Sequence, residues 1–375
     1  MEVAGELARC NKCGFCLTAC PTYAVTGEEN EAPRGRLELL TLYREKMLGA
    51  EEVRPALDDC LLCGSCTAAC PQGIRTARLV RHTRAESGGI TAALLGAGLS
   101  RPGLMKAGGW FARRLGLGTK KPSRPELAAA PDPFRERVAY FSGCSHTYLD
   151  PATAAATRTV LAASGVAVTE LPPACCGLPL WAAGDPAGAA TQARGVLGAF
   201  RAAGEPILVA DCASCAATLR EYPELLPGDP GAVALAAKVR DLASYLAEAP
   251  LEFTRVATDS LVVTYHQPCH ARESGEGAAT RGFLAALPGV EYREAVGHDT
   301  CCGGAGLWGV RHPGLSGKIL DRKMNAFAAT GAGMVVTGCP ACRMQLERGV
   351  RRTGLKMKVG SVSGLLAGRK LVERT

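Results

Sequence analysis

Cys10-Asn11-Lys12-Cys13-Gly14-Phe15-Cys16-Leu17-Thr18-Ala19-Cys20-Pro21 has the form C-x2-C-x2-C-x3-C-P, and Cys60-Leu61-Leu62-Cys63-Gly64-Ser65-Cys66-Thr67-Ala68-Ala69-Cys70-Pro71 repeats it. Three closely spaced cysteines wrap the chain around one cubane, with backbone amides aimed at its sulfurs, while the fourth cysteine reaches the other cluster. The ligand sets therefore read as crossed: Cys10, Cys13, Cys16 with Cys70, and Cys60, Cys63, Cys66 with Cys20. Two zinc sites could be built from the same eight thiols, but zinc gives no reason for two identical runs. The intervening residues carry a helix-like stretch from Leu37 to Leu48, so this part reads as an α-helical ferredoxin module with two [4Fe-4S] cubanes.

Working outward, the eighteen cysteines fall in two groups: eight from Cys10 to Cys70, and ten from Cys144 to Cys342. Between them, Lys120-Lys121-Pro122-Ser123-Arg124-Pro125 and Pro131-Asp132-Pro133 read as an extended linker. Beyond it Cys144, Cys175-Cys176-Gly177, Cys212 and Cys215 recur as Cys269, Cys301-Cys302-Gly303, Cys339 and Cys342, at offsets of 125, 126 and 127. Five cysteines aligned twice mark a duplicated domain.

Each copy alternates strand and helix. The first reads as a strand over Val138 to Ser142, a helix from about Pro151, a strand over Val166 to Leu171, a helix over Pro186 to Ala203 and a strand over Pro206 to Ala210. The second has strands over Leu261 to Tyr265, Val290 to Ala295 and Gly333 to Thr337, with a helix over Pro313 to Thr330. Val239-Arg240-Asp241-Leu242 parallels Val359-Gly360-Ser361-Val362 in the tails. Such alternation predicts parallel sheets covered by helices, with the cysteines at the carboxyl ends of strands, where open α/β sheets place their ligands. Adjacent cysteines suit a polynuclear cluster better than one tetrahedral ion, and Gly177 and Gly303 are expected to let the backbone approach the inorganic core.

The paired pattern of cysteine, Cys-Cys-Gly and Cys-x-x-Cys resembles the cysteine-rich CCG domains of heterodisulfide reductase subunits. The whole chain resembles the iron–sulfur subunit of glycolate oxidase and its lactate-oxidising relatives. Cys16-Leu17-Thr18-Ala19-Cys20-Pro21-Thr22-Tyr23, Pro33-Arg34-Gly35-Arg36 and His266-Gln267-Pro268-Cys269-His270 are similar to that family's signature. The resemblance implies that Cys144, Cys175, Cys176, Cys212, Cys215 and Cys269, Cys301, Cys302, Cys339, Cys342 can each hold a non-cubane four-iron cluster, giving one or two such clusters. Both sets are complete here, which leaves room for reductase-type chemistry as well.

The fold class expected is α+β multidomain: a ferredoxin-like domain over 1–88, a basic helical segment and linker over 89–135, and duplicated α/β CCG domains over 136–250 and 251–375. No secretory signal precedes Cys10, and no run approaches the roughly 20 apolar residues of a membrane span; the nearest, Ile90 to Leu99, is short and glycine-rich. Cysteine clusters without an export signal indicate a reducing compartment and metal, so the expected location is cytoplasmic or peripheral at the inner face of the membrane. The net charge of +8 counts ligating thiolates as neutral, and aromatic residues are only 5% of the chain, leaving few base-stacking platforms. Nucleic acid is set aside.

Gly304-Ala305-Gly306-Leu307-Trp308-Gly309 satisfies G-x-G-x-x-G but follows cysteines instead of a strand, so it reads as a tight turn, with neither flavin nor NAD in this chain. Two-electron chemistry then calls for a separate partner, and the resemblance makes it an FAD-binding dehydrogenase subunit. Arg75, Arg78, Arg81, Arg84, Arg101, Lys106, Arg113, Arg114, Lys120 and Lys121 face only Glu86 between Ile74 and Lys121. Interleaved with Leu94, Leu95, Leu99, Leu104, Met105, Trp110 and Phe111, they form either a membrane-surface or docking segment, or helices packed on the ferredoxin module whose arginines balance cluster charge. His266, His270 and His298 lie near cysteines and read as hydrogen-bonded groups beside the ligands.

The function expected is an electron-transfer subunit that takes electrons from a flavin-dependent 2-hydroxyacid dehydrogenase of glycolate or lactate type and delivers them toward a quinone or another carrier. Two alternatives stand beside it: a heterodisulfide-reductase-like catalytic subunit acting on a disulfide at paired clusters, and a wiring subunit of a larger membrane-associated complex.

Overall fold

The computed structural model describes residues 3–87, 98, 102–114, 136–249, 251–253, 261–367 and 371–373. The expected linker over Lys120 to Pro133, its boundary near residue 130, and Leu94, Leu95 and Arg101 of the basic segment lie outside the described residues.

The amino-terminal module is helical. Its four longest helices, Pro33–Arg44, Ala50–Asp58, Thr76–Ser87 and Val3–Ala8, close on Leu37, Leu40, Val53, Leu57, Leu79 and Val80. The helix expected over Leu37 to Leu48 starts four residues earlier and ends at Arg44. Pro33 occupies its first turn, where no N–H is needed, and Lys46 with φ of 60° turns the chain out of helical geometry. Both cysteine motifs bend identically. Lys12 and Leu62 have φ of 55° and 54°, and Gly14 and Gly64 have 85° and 68°. Left-handed non-glycine residues are costly and persist where the surroundings demand them. Here they curl each C-x2-C-x2-C loop around its own thiols.

The first duplicated unit has strands β1 (Arg137–Tyr140), β2 (Ala167–Glu170), β3 (Ile207–Ala210) and β4 (Val239–Asp241). After β5 (Leu251–Phe253), the second has β6 (Leu261–His266), β7 (Val290–Tyr292), β8 (Met334–Thr337) and β9 (Lys358–Gly360), and β10 (Leu371–Glu373) follows. The sheet orders are β2-β1-β3-β4 and β7-β6-β8-β9, every pairing is parallel, and the two orders are the same once duplicates are matched. The tails Val239-Arg240-Asp241 and Val359-Gly360 both fall in the fourth strand. Each strand order places the first strand of its unit centrally, so right-handed β-α-β connections lead to helices on both faces of the sheet. The short antiparallel pair of β5 with β10 was not legible in the sequence.

The two units share a core. Val138, Tyr140, Val209, Leu242 and Leu246 of one pack with Val263, Tyr265, Leu284, Val336 and Val362 of the other. Helix Pro151–Ala163 packs on helix Val362–Leu366, and helix Leu242–Glu248 packs on helix Glu276–Ala286. Each of these contacts is the duplicate of the other, which is the pattern of a two-fold axis between like elements. The opposite faces bury separate cores around Phe200 and Leu208, and around Phe327 and Val335.

The basic segment divides in two. Arg78, Arg81 and Arg84 pack between the ferredoxin module and the first duplicated unit, while Arg75 pairs with Glu6 inside the module. Arg78 pairs with Glu224 at 2.7 Å, Arg81 with Glu221 at 2.9 Å, and the Arg81 guanidinium lies 3.4 Å from the centre of the Trp181 ring. Helix Pro102–Arg114 instead exposes Leu104, Trp110 and Phe111, while its Gly109 presses on Tyr148. No helix among the described residues is long and apolar enough to cross a membrane.

Candidate functional site

The duplicated units bring their cysteines to the carboxyl ends of parallel strands. Cys144 follows β1 in helix Gly143–Tyr148, Cys212 follows β3, Cys269 follows β6, and Cys339 follows β8. Cys175-Cys176 and Cys301-Cys302 sit in the loops beyond β2 and β7, before helices Leu178–Ala183 and Leu307–Arg311. The Gly177 and Gly303 amides each donate to the first cysteine of the pair, Cys175 or Cys301, at 3.4 Å.

Those glycines also meet a steric need that the spacing did not reveal. With φ of 95° and 78°, they let the loop press on the following long helix, where a Cβ would stand 3.0 Å from the carbonyl oxygen of Ala189 or Ser316. The close approach is to protein backbone. Only the amide hydrogen bond faces the sulfur.

None of the eighteen cysteines is in a disulfide. Within the first set, neighbouring thiols shift one another's ionisation in the order Cys144 with Cys175, Cys175 with Cys176, Cys176 with Cys215, and Cys215 with Cys212. The second repeats the order with Cys269, Cys301, Cys302, Cys342 and Cys339. The sets also touch. Cys212 contacts Cys339, its own duplicate, and the Ala213 amide donates to the Gly338 carbonyl at 2.8 Å. Pro340 stands where Ala213 has its duplicate, so the reciprocal bond has no donor.

In the ferredoxin module Cys16 lies among Cys10, Cys70 and Cys13, and Cys66 among Cys63, Cys60 and Cys20. Two separate small cavities follow the same division, one lined by Cys10, Cys13, Cys16 and Cys70, the other by Cys20, Cys60, Cys63 and Cys66. The crossed arrangement expected from the motif is the one in which these thiols are grouped, although Cys66 borders the first cavity as well. Cys13 is exposed and Cys20 and Cys66 are buried.

The module then joins the duplicated units through Cys63. Its thiol adjoins that of Cys269, which pushes its ionisation up, and its carbonyl accepts from Arg272 at 3.0 Å. Arg84 ties the same edge together from the other side. Buried, it donates to the carbonyls of Cys60 at 2.8 Å and Ala182 at 2.9 Å. Arg311 and His312 reach Asp58 and Asp59 at 3.4 and 3.2 Å. A cavity of about 620 Å³ opens at this meeting point, bordered by Cys63, Cys144, Cys176, Cys215, Cys302 and Cys342 among others. That the three regions converge on one cavity was not legible in the motifs, because long-range docking leaves no local spacing signal.

The thiols fit a polynuclear group. Burial pushes the Cys16, Cys20 and Cys66 thiols up, and neighbouring thiols add to it. In the duplicated units Cys176 is held well below the ordinary thiol range by Cys175 and Cys215, while Cys144 and then Cys176 push Cys175 up, and Cys176 and Cys212 push Cys215 up. Thiols this crowded cannot all ionise without multivalent cations among them. Iron with inorganic sulfide supplies that charge and matches the all-sulfur donor sets.

The three histidines differ. His270 Nδ1 lies 3.0 Å from Ser214 Oγ, and His298 Nδ1 lies 3.6 Å from a Glu294 carboxylate oxygen. His266 is fully buried, and its ligating atoms group with Cys302 and Cys342 within 4.8 Å of one another. The Gly304–Gly309 stretch is a turn, with Ala305 and Gly306 at φ of 40° and 59°, leading into the five-residue helix Leu307–Arg311. No strand immediately precedes it.

Residues 6–74 match the 4Fe-4S dicluster domain family, and residues 138–220 and 263–347 each match the cysteine-rich domain family. The chain is 31% identical to the probable glycolate oxidase iron-sulfur subunit of Bacillus subtilis (strain 168), over 96% of this chain and 92% of that protein. It is 30% identical to the glycolate oxidase iron-sulfur subunit of Escherichia coli (strain K12), over 92% of this chain and 91% of that protein. A subunit of the dihydromethanophenazine:CoB--CoM heterodisulfide reductase of Methanosarcina barkeri (strain Fusaro / DSM 804) is 27% identical, over 94% of this chain and 91% of its own length. With the dicluster and cysteine-rich domains matched, the chain is an iron–sulfur protein.

Proposed function

Because this chain belongs to the family of glycolate oxidase iron–sulfur subunits, we propose that it is the electron-transfer subunit of a 2-hydroxyacid dehydrogenase of glycolate or lactate type. An FAD-binding subunit would oxidise the substrate, and a quinone or another carrier would take the electrons onward. In this reading Cys10, Cys13, Cys16 and Cys70 hold one cubane, and Cys60, Cys63, Cys66 and Cys20 hold a second. Each five-cysteine set holds a non-cubane cluster. The bound clusters supply one-electron chemistry, and the protein supplies their order and spacing.

The observation that carries this reading is the unbroken run of thiol contacts from Cys63 through Cys269 and the second set, across Cys339 and Cys212, to Cys144 at the end of the first set. Cys13 places the other end of the ferredoxin module at the surface. Such an arrangement suits relay between a surface contact and the interior. Exposed Leu104, Trp110 and Phe111 offer an apolar face for peripheral contact with a membrane that holds a quinone.

The test is anaerobic purification of the tagged chain from its own cells, identification of the flavoprotein that accompanies it, and addition of glycolate or lactate. Bleaching of the iron–sulfur absorbance is the expected result, and Cys63→Ser should confine bleaching to one side of the break. A specific observation also favours the reductase alternative: both five-cysteine sets border one cavity lined by Arg220, Arg311 and His270. Under that alternative, bleaching would ignore hydroxyacids, and a disulfide would reoxidise the reduced protein.

A further inference from the structure

The two five-cysteine sets are duplicates in their thiols, but they are not duplicates in what surrounds the thiols. His266, three residues before Cys269, occupies the place of Phe141, three residues before Cys144. Phe141 is buried in one core with Cys176 and Cys215. His266 is buried with its ligating nitrogen near Cys302 and Cys342, the duplicates of those same two cysteines. An apolar ring in one copy is thus an imidazole in the other.

The imidazole is conspicuous because it lacks the usual partners. It is fully buried at the end of β6, its ring meets Phe327 edge-on at 6.2 Å between centroids, neither nitrogen has a nitrogen or oxygen partner, and the polar neighbour it acts on is the Cys302 sulfur. A buried polar group without a partner is disfavoured, so the nitrogen facing Cys302 and Cys342 requires an acceptor that lies among those sulfurs. The second set already offers five thiols, which leaves a nitrogen ligand to iron without a role.

Two further differences point the same way. Lys323, in the position of Val196, is buried beside the second set and donates to the carbonyls of Gly297, His298 and Thr300 at 2.6, 2.9 and 2.9 Å. Asp211, in the position of Gly338, sets a carboxylate beside Cys212 of the first set, although His146 Nδ1, 2.7 Å away, offsets part of its charge. Hydrogen bonds to cluster sulfurs and nearby positive charge favour the more negative, reduced cluster.

We propose that His266 donates an N–H hydrogen bond to a sulfur of the cluster in the second set, and so gives that cluster a higher reduction potential than its duplicate. This rests on the reading that both sets hold clusters. Electrons shared between the two sites then reside on the second, the one whose Cys269 adjoins Cys63 of the ferredoxin module.

The experiment is a potentiometric titration followed by EPR on the anaerobically purified full chain, with iron and sulfide content measured on the same samples. Cys176→Ser assigns the two signals by removing the first. His266→Phe should keep its iron and lower the potential of the second signal, disfavouring its reduction roughly tenfold, about 59 mV for a one-electron couple. His266→Gln, which keeps an N–H, should retain most of the native value. Phe141→His should raise the first signal, and it tests the idea even where His266→Phe fails to fold.

Retained iron with unmoved potentials in both copies would overturn the proposal. So would pulsed EPR of the native protein showing nitrogen bound directly to iron. Native protein with iron in the cubanes alone would overturn the reading beneath it, a distinct failure visible in the iron content before any titration.

Discussion

Asp241 shows how one side chain ties stability to pH in this fold. Its carboxylate caps helix Leu242–Glu248 by accepting from the Ser244 amide at 3.0 Å and the Ser244 hydroxyl at 2.7 Å. Burial, with the Glu276 carboxylate alongside, pushes Asp241 up to about 7. Arg220 pairs with Glu276 from the far side, and Tyr265 lies against the same pocket. Between roughly pH 4 and pH 7 the folded protein keeps a proton at Asp241 that the unfolded chain has lost. Stability should therefore fall as pH rises through that window, by at most about 1.4 kcal/mol per pH unit from this group, and level off above it. Asp241→Asn keeps the cap and removes the titration, so its denaturation midpoint should gain on the native protein's between pH 5 and pH 8. Parallel curves for the two proteins would show that the group does not titrate there.

At the scale of elements, the helix Leu178–Ala183 carries the contact between the ferredoxin module and the first duplicated unit. It ends at Gly184, whose φ is 94° and whose added Cβ would stand 2.6 Å from the Arg84 carbonyl oxygen. Arg84 in turn binds the Ala182 carbonyl at 2.9 Å, so this helix end and helix Thr76–Ser87 grip each other. Gly184→Ala should combine a left-handed penalty of about 1 kcal/mol with a backbone collision worth roughly 1–3 kcal/mol more. Thermal unfolding should show it, and proteolysis should sever the module from the remainder sooner. An unchanged melting profile would mean that the two regions do not depend on this seam.

The elements were largely legible in the sequence, and the reasons are local. Strand β1, expected over Val138 to Ser142, is Arg137–Tyr140, and the helix expected over Pro186 to Ala203 is Pro186–Ala202. Proline in the first turn and Asp185 accepting from the Gly188 amide at 2.8 Å fix where that helix begins. β7 stops at Tyr292 where a run to Ala295 was expected, because the ladder with β6 closes at Tyr292 opposite Val263, with the Arg293 amide making the last bond to the Val263 carbonyl at 2.9 Å. The steric role of Gly177 and Gly303 was not legible for a related reason. Their neighbours, Ala189 and Ser316, are close in space and distant in spacing.

At the scale of the molecule, the cysteine pattern singled out the thiols but not their convergence. Nothing in the spacing indicates that Cys63 meets Cys269, that Cys212 meets its own duplicate Cys339, or that Arg84 joins two regions through main-chain carbonyls. These follow from docking surfaces assembled from many residues. A duplicated fold paired about a two-fold axis brings like sites together, and the single ferredoxin module, which borders both, sets its Cys63 thiol against that of Cys269 in the second. The molecule is therefore asymmetric in wiring although its cysteines are symmetric, and His266 opposite Phe141 carries the same asymmetry into chemistry.

The central claim is that four iron–sulfur sites stand in series in one chain. The measurement that tests it most directly is the iron and acid-labile sulfide content of anaerobically purified protein, read together with EPR of the reduced and oxidised states. About sixteen irons with equimolar sulfide, and non-cubane signals beside those of the cubanes, is the result expected. About eight irons would confine clusters to the ferredoxin module and contradict the series, and zinc without sulfide would contradict the account at its root.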